Sequence, residues 1–480
     1  MKWPCAACVV VCLMVCTLSR AQPMPEPRDG KVVLPLTLSP ASAPQPVSRS
    51  YLLPQYAEMQ PGNRVQGFMK AFMEQQRFFS REASSQRDKW NSLPLEQLPL
   101  DEIRKAGILH GLAYTPPYGR PLGDADEAAR YTRVEWNEWF NLRRDGINLL
   151  LPELQNLRNL ATALKVRLRA EIKAGDFDRA IVSLRTLFGL ARTMEQHPTL
   201  IGQLIGLFIA GLGLDALEEM VQQPGCPNLY WALVDLPRPL IDLRQGLQGE
   251  RVLLSEQFKP LLQATGGLSE GEVQRYLTTI CELFRAIQIN SDGSQAAAAQ
   301  QRYRSWAADK ARVDLARRRL AATGFKPTAL KDMSTLQLVL TDDLRQYEIY
   351  RDELFKWFPL PYWQAAPGIQ QAEQALQKAK EELQLAPQMV SGTRVRQSQA
   401  RFEQRIALLQ IVEAIRLYAH ANRGQLPDSL DKIRLPLPLD PVSGQPFRYT
   451  VEADRAILHG ANLYPDKAAT NRHYTLQIRK

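Results

Sequence analysis

Cysteine is nearly absent once the start of the chain is set aside. Of six cysteines, Cys5, Cys8, Cys12 and Cys16 fall within the first sixteen residues, leaving only Cys226 and Cys281. Two thiols exclude a disulfide framework and a cysteine-built metal cluster. A bridge between them would close a loop of about 55 residues and contribute roughly 4 kcal/mol by chain entropy; two separate buried thiols fit the sequence as well. Histidine is almost as scarce: His110, His197, His420, His459 and His473 are scattered, with no metal-ligand spacing among them. HExxH, GxSxG, a phosphate loop, CxxC pairs and EF-hand spacing are all missing. Gly211-x-Gly213-x-x-Ala216 has the spacing of a dinucleotide fingerprint, but no strand precedes it. No cofactor and no metal are therefore expected.

What is present begins with an export signal. Lys2 precedes an apolar run from Trp3 to Leu18, which ends in Ser19-Arg20-Ala21. This is a charged start, a short apolar core and a small-x-small cleavage site, so residues 1–21 are read as a signal peptide cut after Ala21. The run is shorter than the about 20 residues of a membrane span. An uncleaved anchor and lipidation at Cys16 explain fewer residues, since Val15 stands where a lipobox wants a small side chain. Localisation is expected to be periplasmic or secreted, with no membrane span after cleavage.

Length and composition set the scale. With 480 residues, 45% of them hydrophobic, the chain can bury a large core. The net charge of +10 becomes +8 when Lys2 and Arg20 leave with the signal. The charges are dispersed, and export argues against nucleic acid, so the surplus is read as a solvated surface.

Residues 22–50 carry Pro23, Pro25, Pro27, Pro35, Pro40, Pro44 and Pro46 among small and polar residues. Neither helix nor paired strand is expected there, and the stretch is read as a linker. Helical periodicity appears around Phe68–Phe79 and becomes regular from Pro152 to Ala174, where Leu154, Leu157, Leu160, Leu164, Leu168 and Ile172 form one stripe. Gly175 and Asp176 supply a C′ residue and the next N-cap, which predicts an antiparallel helix ending at His197-Pro198. Thr199–Leu214 is uncharged and contains Gly202, Gly206, Gly211 and Gly213, the composition of a closely packed buried helix. Further helices are predicted over 270–287, 296–322, 336–357, 369–383 and 394–421. After Gly424, prolines and alternation predict short strands at 447–451, 456–458 and 474–476.

Chemistry is sparse. Glu135 and Glu138 lie three residues apart beside Trp136, Trp139 and Phe140. On one helical face, two such carboxylates could cleave a glycoside as acid and nucleophile or base. Core aromatics, with the glutamates paired to Arg133, Arg143 or Arg144, is the simpler reading. Tyr347, Tyr350, Trp357, Tyr362 and Trp363 surround a helix end broken by Pro359 and Pro361, and form a candidate binding patch unless they pack against the long helices. Arg317-Arg318-Arg319 reads as a solvated helix face.

Three resemblances bear on layout. The Gly175-x-Phe177-x-x-Ala180 turn resembles that of a tetratricopeptide hairpin, although no second copy recurs at about 34 residues. The long helix, Leu426-Pro427-x-Ser429-Leu430 and Asp440-Pro441-x-x-Gly444-x-Pro446-Phe447-x-Tyr449 resemble the C-terminal half of pseudopilins. That resemblance implies a small helix-on-sheet module with Phe447, Tyr449 and Val451 facing the helix, and allows an accessory role in a secretion or pilus-like system. Leu36-Thr37-Leu38-Ser39-Pro40, Tyr51-Leu52-Leu53-Pro54, Asn228-Leu229-Tyr230-Trp231-Ala232-Leu233 and the 236–244 segment resemble an uncharacterised family of exported planctomycete-type bacterial proteins, which transfers no catalytic residue.

The expected architecture is mainly α: a multi-helix body of antiparallel hairpins over 51–390 and a small C-terminal α+β module over 394–480. The expected function is an exported, non-enzymatic binding or scaffold protein whose partner is a protein or cell-envelope component. A glycan hydrolase of the envelope is the enzymatic alternative.

Overall fold

The computed structural model describes residues 32–47, 50–74, 81–105, 122–146, 149, 151–287, 294–464 and 471–479. The leader and His110 lie outside them. Along the chain come β1 (Val32–Leu38), β2 (Gln60–Asn63), α1 (Arg64–Glu74), α2 (Arg81–Ser92), α3 (Leu100–Lys105), α4 (Gly123–Ala128), β3 (Tyr131–Arg133) and α5 (Glu138–Asp145). The central helices are α6 (Pro152–Lys173), α7 (Phe177–Glu195), α8 (Leu200–Met220), α9 (Tyr230–Val234) and α10 (Arg244–Ser255). Next are α11 (Lys259–Leu262), α12 (Glu270–Ile287), α13 (Ser294–Ala308), α14 (Lys310–Ala322), α15 (Pro327–Asp332), α16 (Thr335–Phe355) and α17 (Tyr362–Ala379). The long α18 (Gly392–Ala421) precedes β4 (Arg448–Glu452), β5 (Arg455–His459) and β6 (Arg472–Ile478). The protein is mainly α with a small sheet at its C-terminal end.

The α6–α7 hairpin forms for the reasons its turn predicts. Gly175 has φ +75°, and the Asp176 carboxylate accepts the Arg179 N–H at 3.3 Å, satisfying a free donor of the first turn of α7. The apolar stripe of α6 is buried against α7 and α8. Close approach of α8 to α7 depends on missing side chains. A Cβ on Gly206 would lie 3.0 Å from the Ala191 carbonyl oxygen, and one on Gly213 would lie 2.8 Å from the Phe188 ring. Among the described helices, α8 is the one long and apolar enough to cross a bilayer, and most of it is buried inside the protein.

The main core runs from Leu36 to Leu476, so the two ends of the chain share it. The sheet order is β1-β6-β5-β4, with β1 parallel to β6 from Val32↔Arg472 to Leu38↔Ile478. This corrects the linker reading of 22–50 where β1 lies, at Val32–Leu38. Pro35 is tolerated because β1 is an edge strand: in a parallel pair, residues 34, 36 and 38 present their backbone groups to β6, while Pro35 and Thr37 present theirs outward. Thr37 N–H accordingly donates to Gln222 Oε1 at 3.3 Å, and Leu38 O accepts from Arg479 N at 2.7 Å. Beyond β1, the buried Arg416 guanidinium of α18 donates to Ser39 O at 2.9 Å, to Cys226 O at 2.7 Å and to Glu413 at 2.8 Å. One side chain thus ties three distant segments.

Three smaller expectations change. Helix 296–322 is split, because Asp309 accepts from Ala311 N at 2.9 Å and starts α14 afresh. Phe447 is buried and Tyr449 packs on the main core, but Val451 is exposed, since it lies where β4 runs past that core. Of the arginine run, Arg319 is not simply solvated: it reaches the buried Asp342 at 3.6 Å, which burial first of all pushes up to about 6.

Candidate functional site

Glu135 and Glu138 do not share a helical face. α5 begins at Glu138, and Glu135 lies before it, exposed and paired with Arg133 at 3.1 Å. The Trp136 ring between them is buried and donates Nε1–H to Thr193 O at 3.2 Å. Glu138 instead neighbours Glu153, in the first turn of α6, and burial raises both carboxyls. Glu153 is pushed up to about 7, chiefly by burial, with the Glu138 charge adding to it.

His197 completes this cluster. Its Nδ1 accepts the Thr199 N–H at 3.2 Å, so the neutral ring carries its proton on Nε2, which lies 4.0 Å from Glu153 Oε1. The ring packs edge-on against Trp136 with centroids 4.6 Å apart, and burial holds the imidazole down to about 3. The cluster can keep a proton on Glu153 near neutral pH. His197 is fully buried, whereas Glu138 and Glu153 are half-buried. The sequence concealed it because Glu153 reads as a first-turn acid and His197 as a helix terminator.

The aromatic candidates separate by burial. Tyr347 and Tyr350 pack on satellite cores, and Trp357 lies on Gly368, where a Cβ would come within 2.3 Å of its ring. Tyr362 is half-buried, and Trp363 is exposed. Trp363 is instead one of several exposed apolar side chains on segments near α18: Trp231 and Val234 of α9, Leu360 before α17 and Leu439 are others, each 37–56% exposed. One face of α18 holds these segments. Arg396 donates to Leu360 O at 2.6 Å, Gln399 to Ile241 O at 2.7 Å, Glu403 accepts from Leu240 N at 3.0 Å, and Gln410 accepts from Arg238. The positions 396, 399, 403 and 410 recur on one side of a 3.6-residue helix. The α9 and 434–439 segments are joined where Tyr230 Oη donates to Pro436 O at 2.5 Å, and Trp363 lies on Gly444.

Cys226 and Cys281 are buried in different core clusters and no disulfide joins them, so the bridged alternative is replaced by two enclosed thiols. Burial pushes the Cys226 thiol up to about 12, far from the thiolate needed for nucleophilic or redox chemistry. Among the described residues, no group of three or more His, Cys, Asp or Glu side chains is arranged to hold a metal ion. No protein-family model, curated protein or solved structure matches this chain. The resemblances to pseudopilins, to tetratricopeptide hairpins and to exported planctomycete-type proteins rest on the quoted residues alone.

Proposed function

We propose that the protein is an exported helical binding protein of the cell envelope, and that it engages another protein through the apolar row beside α18. The observation that carries this reading is that Trp231, Val234, Leu360, Trp363 and Leu439 are exposed on segments held near α18, several of them pinned to one helix face. Isolated exposed apolar residues are ordinary on any surface, whereas a rigidly held group with aromatic members has the composition of an interface centre. Asp235, Arg238 and Arg434 are exposed alongside it and supply a polar rim of predominantly basic character. The partner is therefore one that presents apolar side chains flanked by acidic groups. Export rests on the Lys2–Ala21 pattern, and the separation of Glu135 from Glu138 favours binding over glycan cleavage at that pair.

The test compares the protein with a Trp231→Ser/Leu439→Ser variant, both immobilised and exposed to envelope extract after circular dichroism has shown equal helicity. A partner retained by the wild type and lost by the folded variant is the expected result. Equal retention by both, or retention by neither, overturns the reading. Amino-terminal sequencing of the exported protein is expected to begin at Gln22; recovery of the intact leader on cytosolic protein overturns the export half.

A further inference from the structure

Where α6, α8, α18 and β6 meet, the charges do not balance. Asp215 of α8 accepts from Lys165 Nζ of α6 at 3.0 Å and from Arg405 Nη2 of α18 at 2.7 Å. Glu218, one turn on, accepts from the same Arg405 Nη2 at 3.2 Å, from Arg472 of β6 and from the Tyr474 hydroxyl at 2.6 Å. Both carboxylates are thus already shared between two cations each. Arg401 lies one helical turn before Arg405, on the same face of α18, and makes no hydrogen bond or ion pair among the described residues. Among the described residues, four cations (Lys165, Arg401, Arg405, Arg472) face two anions (Asp215, Glu218), a surplus of two positive charges (4 − 2) in a largely enclosed place.

We propose that Arg401, with Arg405 and Arg472 behind it, is a binding site for a dianionic phosphate-class group carried by a ligand. An uncompensated charge in a region of low dielectric is costly, and a guanidinium offers a planar fork of donors that matches phosphate oxygens. A dianion would neutralise the surplus. Burial, together with the positive charges of Arg472 and Arg405, depresses the Arg401 guanidinium below its ordinary range, outweighing the attraction of Tyr464 and Asp215. Access remains, since Arg401 is half-buried rather than sealed and the Asp215 and Arg472 side chains keep 22% and 16% of their exposure. The adjoining backbone is held in shape: Asn471 Oδ1 accepts from Leu463 N at 2.8 Å and Tyr464 N at 3.0 Å, and Gln397, one turn before Arg401, donates to Leu463 O at 3.4 Å. The inference is independent of the apolar row, which uses other faces and other chemistry.

The experiment measures thermal unfolding in inorganic phosphate and in chloride at matched ionic strength, with phosphate affinity from calorimetry, for the wild type, Arg401→Gln and Arg401→Lys. Phosphate is expected to raise the wild-type Tm above that in chloride. Arg401→Gln is expected to lose at least about tenfold in phosphate affinity, and Arg401→Lys to retain part of it. In chloride, Arg401→Gln should be at least as stable as wild type, because it removes an unpaired cation. The proposal is overturned if phosphate gives no rise over chloride, or if Arg401→Gln binds phosphate like the wild type. It is equally overturned if Arg401→Gln unfolds or loses stability in chloride, since Arg401 would then be held by a protein acceptor.

Discussion

Glu153 shows how one buried carboxyl makes stability depend on pH. Its folded value of about 7 lies above the ordinary 4.5, so the folded state holds a proton that the unfolded chain releases between those values. Stability from this group is complete below pH 4.5 and is lost as pH rises through 7, with a slope of up to about 1.4 kcal/mol per pH unit. Glu250 and Glu403, each pushed up to about 7 by burial, act in the same direction. His197 opposes them: its imidazole is held down to about 3, so its contribution is lost as pH falls from 6.5 toward 3. Glu153→Gln is expected to leave stability near pH 4 unchanged and to raise it above pH 7, flattening the profile between. Urea midpoints across that range check this, and a parallel pair of profiles would show that Glu153 ionises freely in the fold. At this scale the sequence offered little. Glu135 and Glu138 were visible as a spaced pair, but a spacing of three yields a shared face only inside a helix, and α5 starts at the second of them.

At the scale of the element, glycines separate packing from propensity. Gly249 of α10 lies against the chain before α8, where a Cβ would stand 1.6 Å from the Pro198 carbonyl oxygen, a backbone atom that cannot move alone. A Cβ on Gly211 of α8 would meet nothing within 4 Å. Gly249→Ala is therefore expected to cost roughly 1–3 kcal/mol through overpacking, while Gly211→Ala gains about 0.5–1 kcal/mol in helix propensity. Chemical denaturation of the two variants checks the opposite signs, and a shared sign would refute the assignment. The helices themselves were legible because their signals are local. The stripe of Leu154 to Ile172, the Gly175-Asp176 turn and the end of α18 near Gly424 all act within four residues. The break at Asp309 escaped because Asp is compatible with a helix interior, and only its hydrogen bonds to the next turn make it a cap.

For the whole molecule, the decisive contact is between the two ends of the chain. β1 buries Leu36 and Leu38 in the main core and covers the outer edge of β6. Deleting residues 22–45 should remove about 1.5–3 kcal/mol for each lost leucine and open β6 to protease. If the segment were a tether, the truncated protein would keep the full-length denaturation midpoint and cleavage pattern. The placement also makes the sheet a joint product of an N-terminal strand and a C-terminal hairpin, set on α18, which itself carries the arginines, the polar clamp and the Arg416 anchor.

Periodic apolar spacing, caps and turn residues determined by themselves that this chain builds antiparallel helices and ends in short strands, since each of those signals is settled among near neighbours. Only the tertiary structure decided that a proline-bearing segment pairs with β6, that Glu153 neighbours Glu138 and His197 while Glu135 pairs elsewhere, and that Arg401 makes no ion pair among the described residues. Those outcomes depend on which distant faces meet and which groups burial deprives of water, and nothing in local spacing records either.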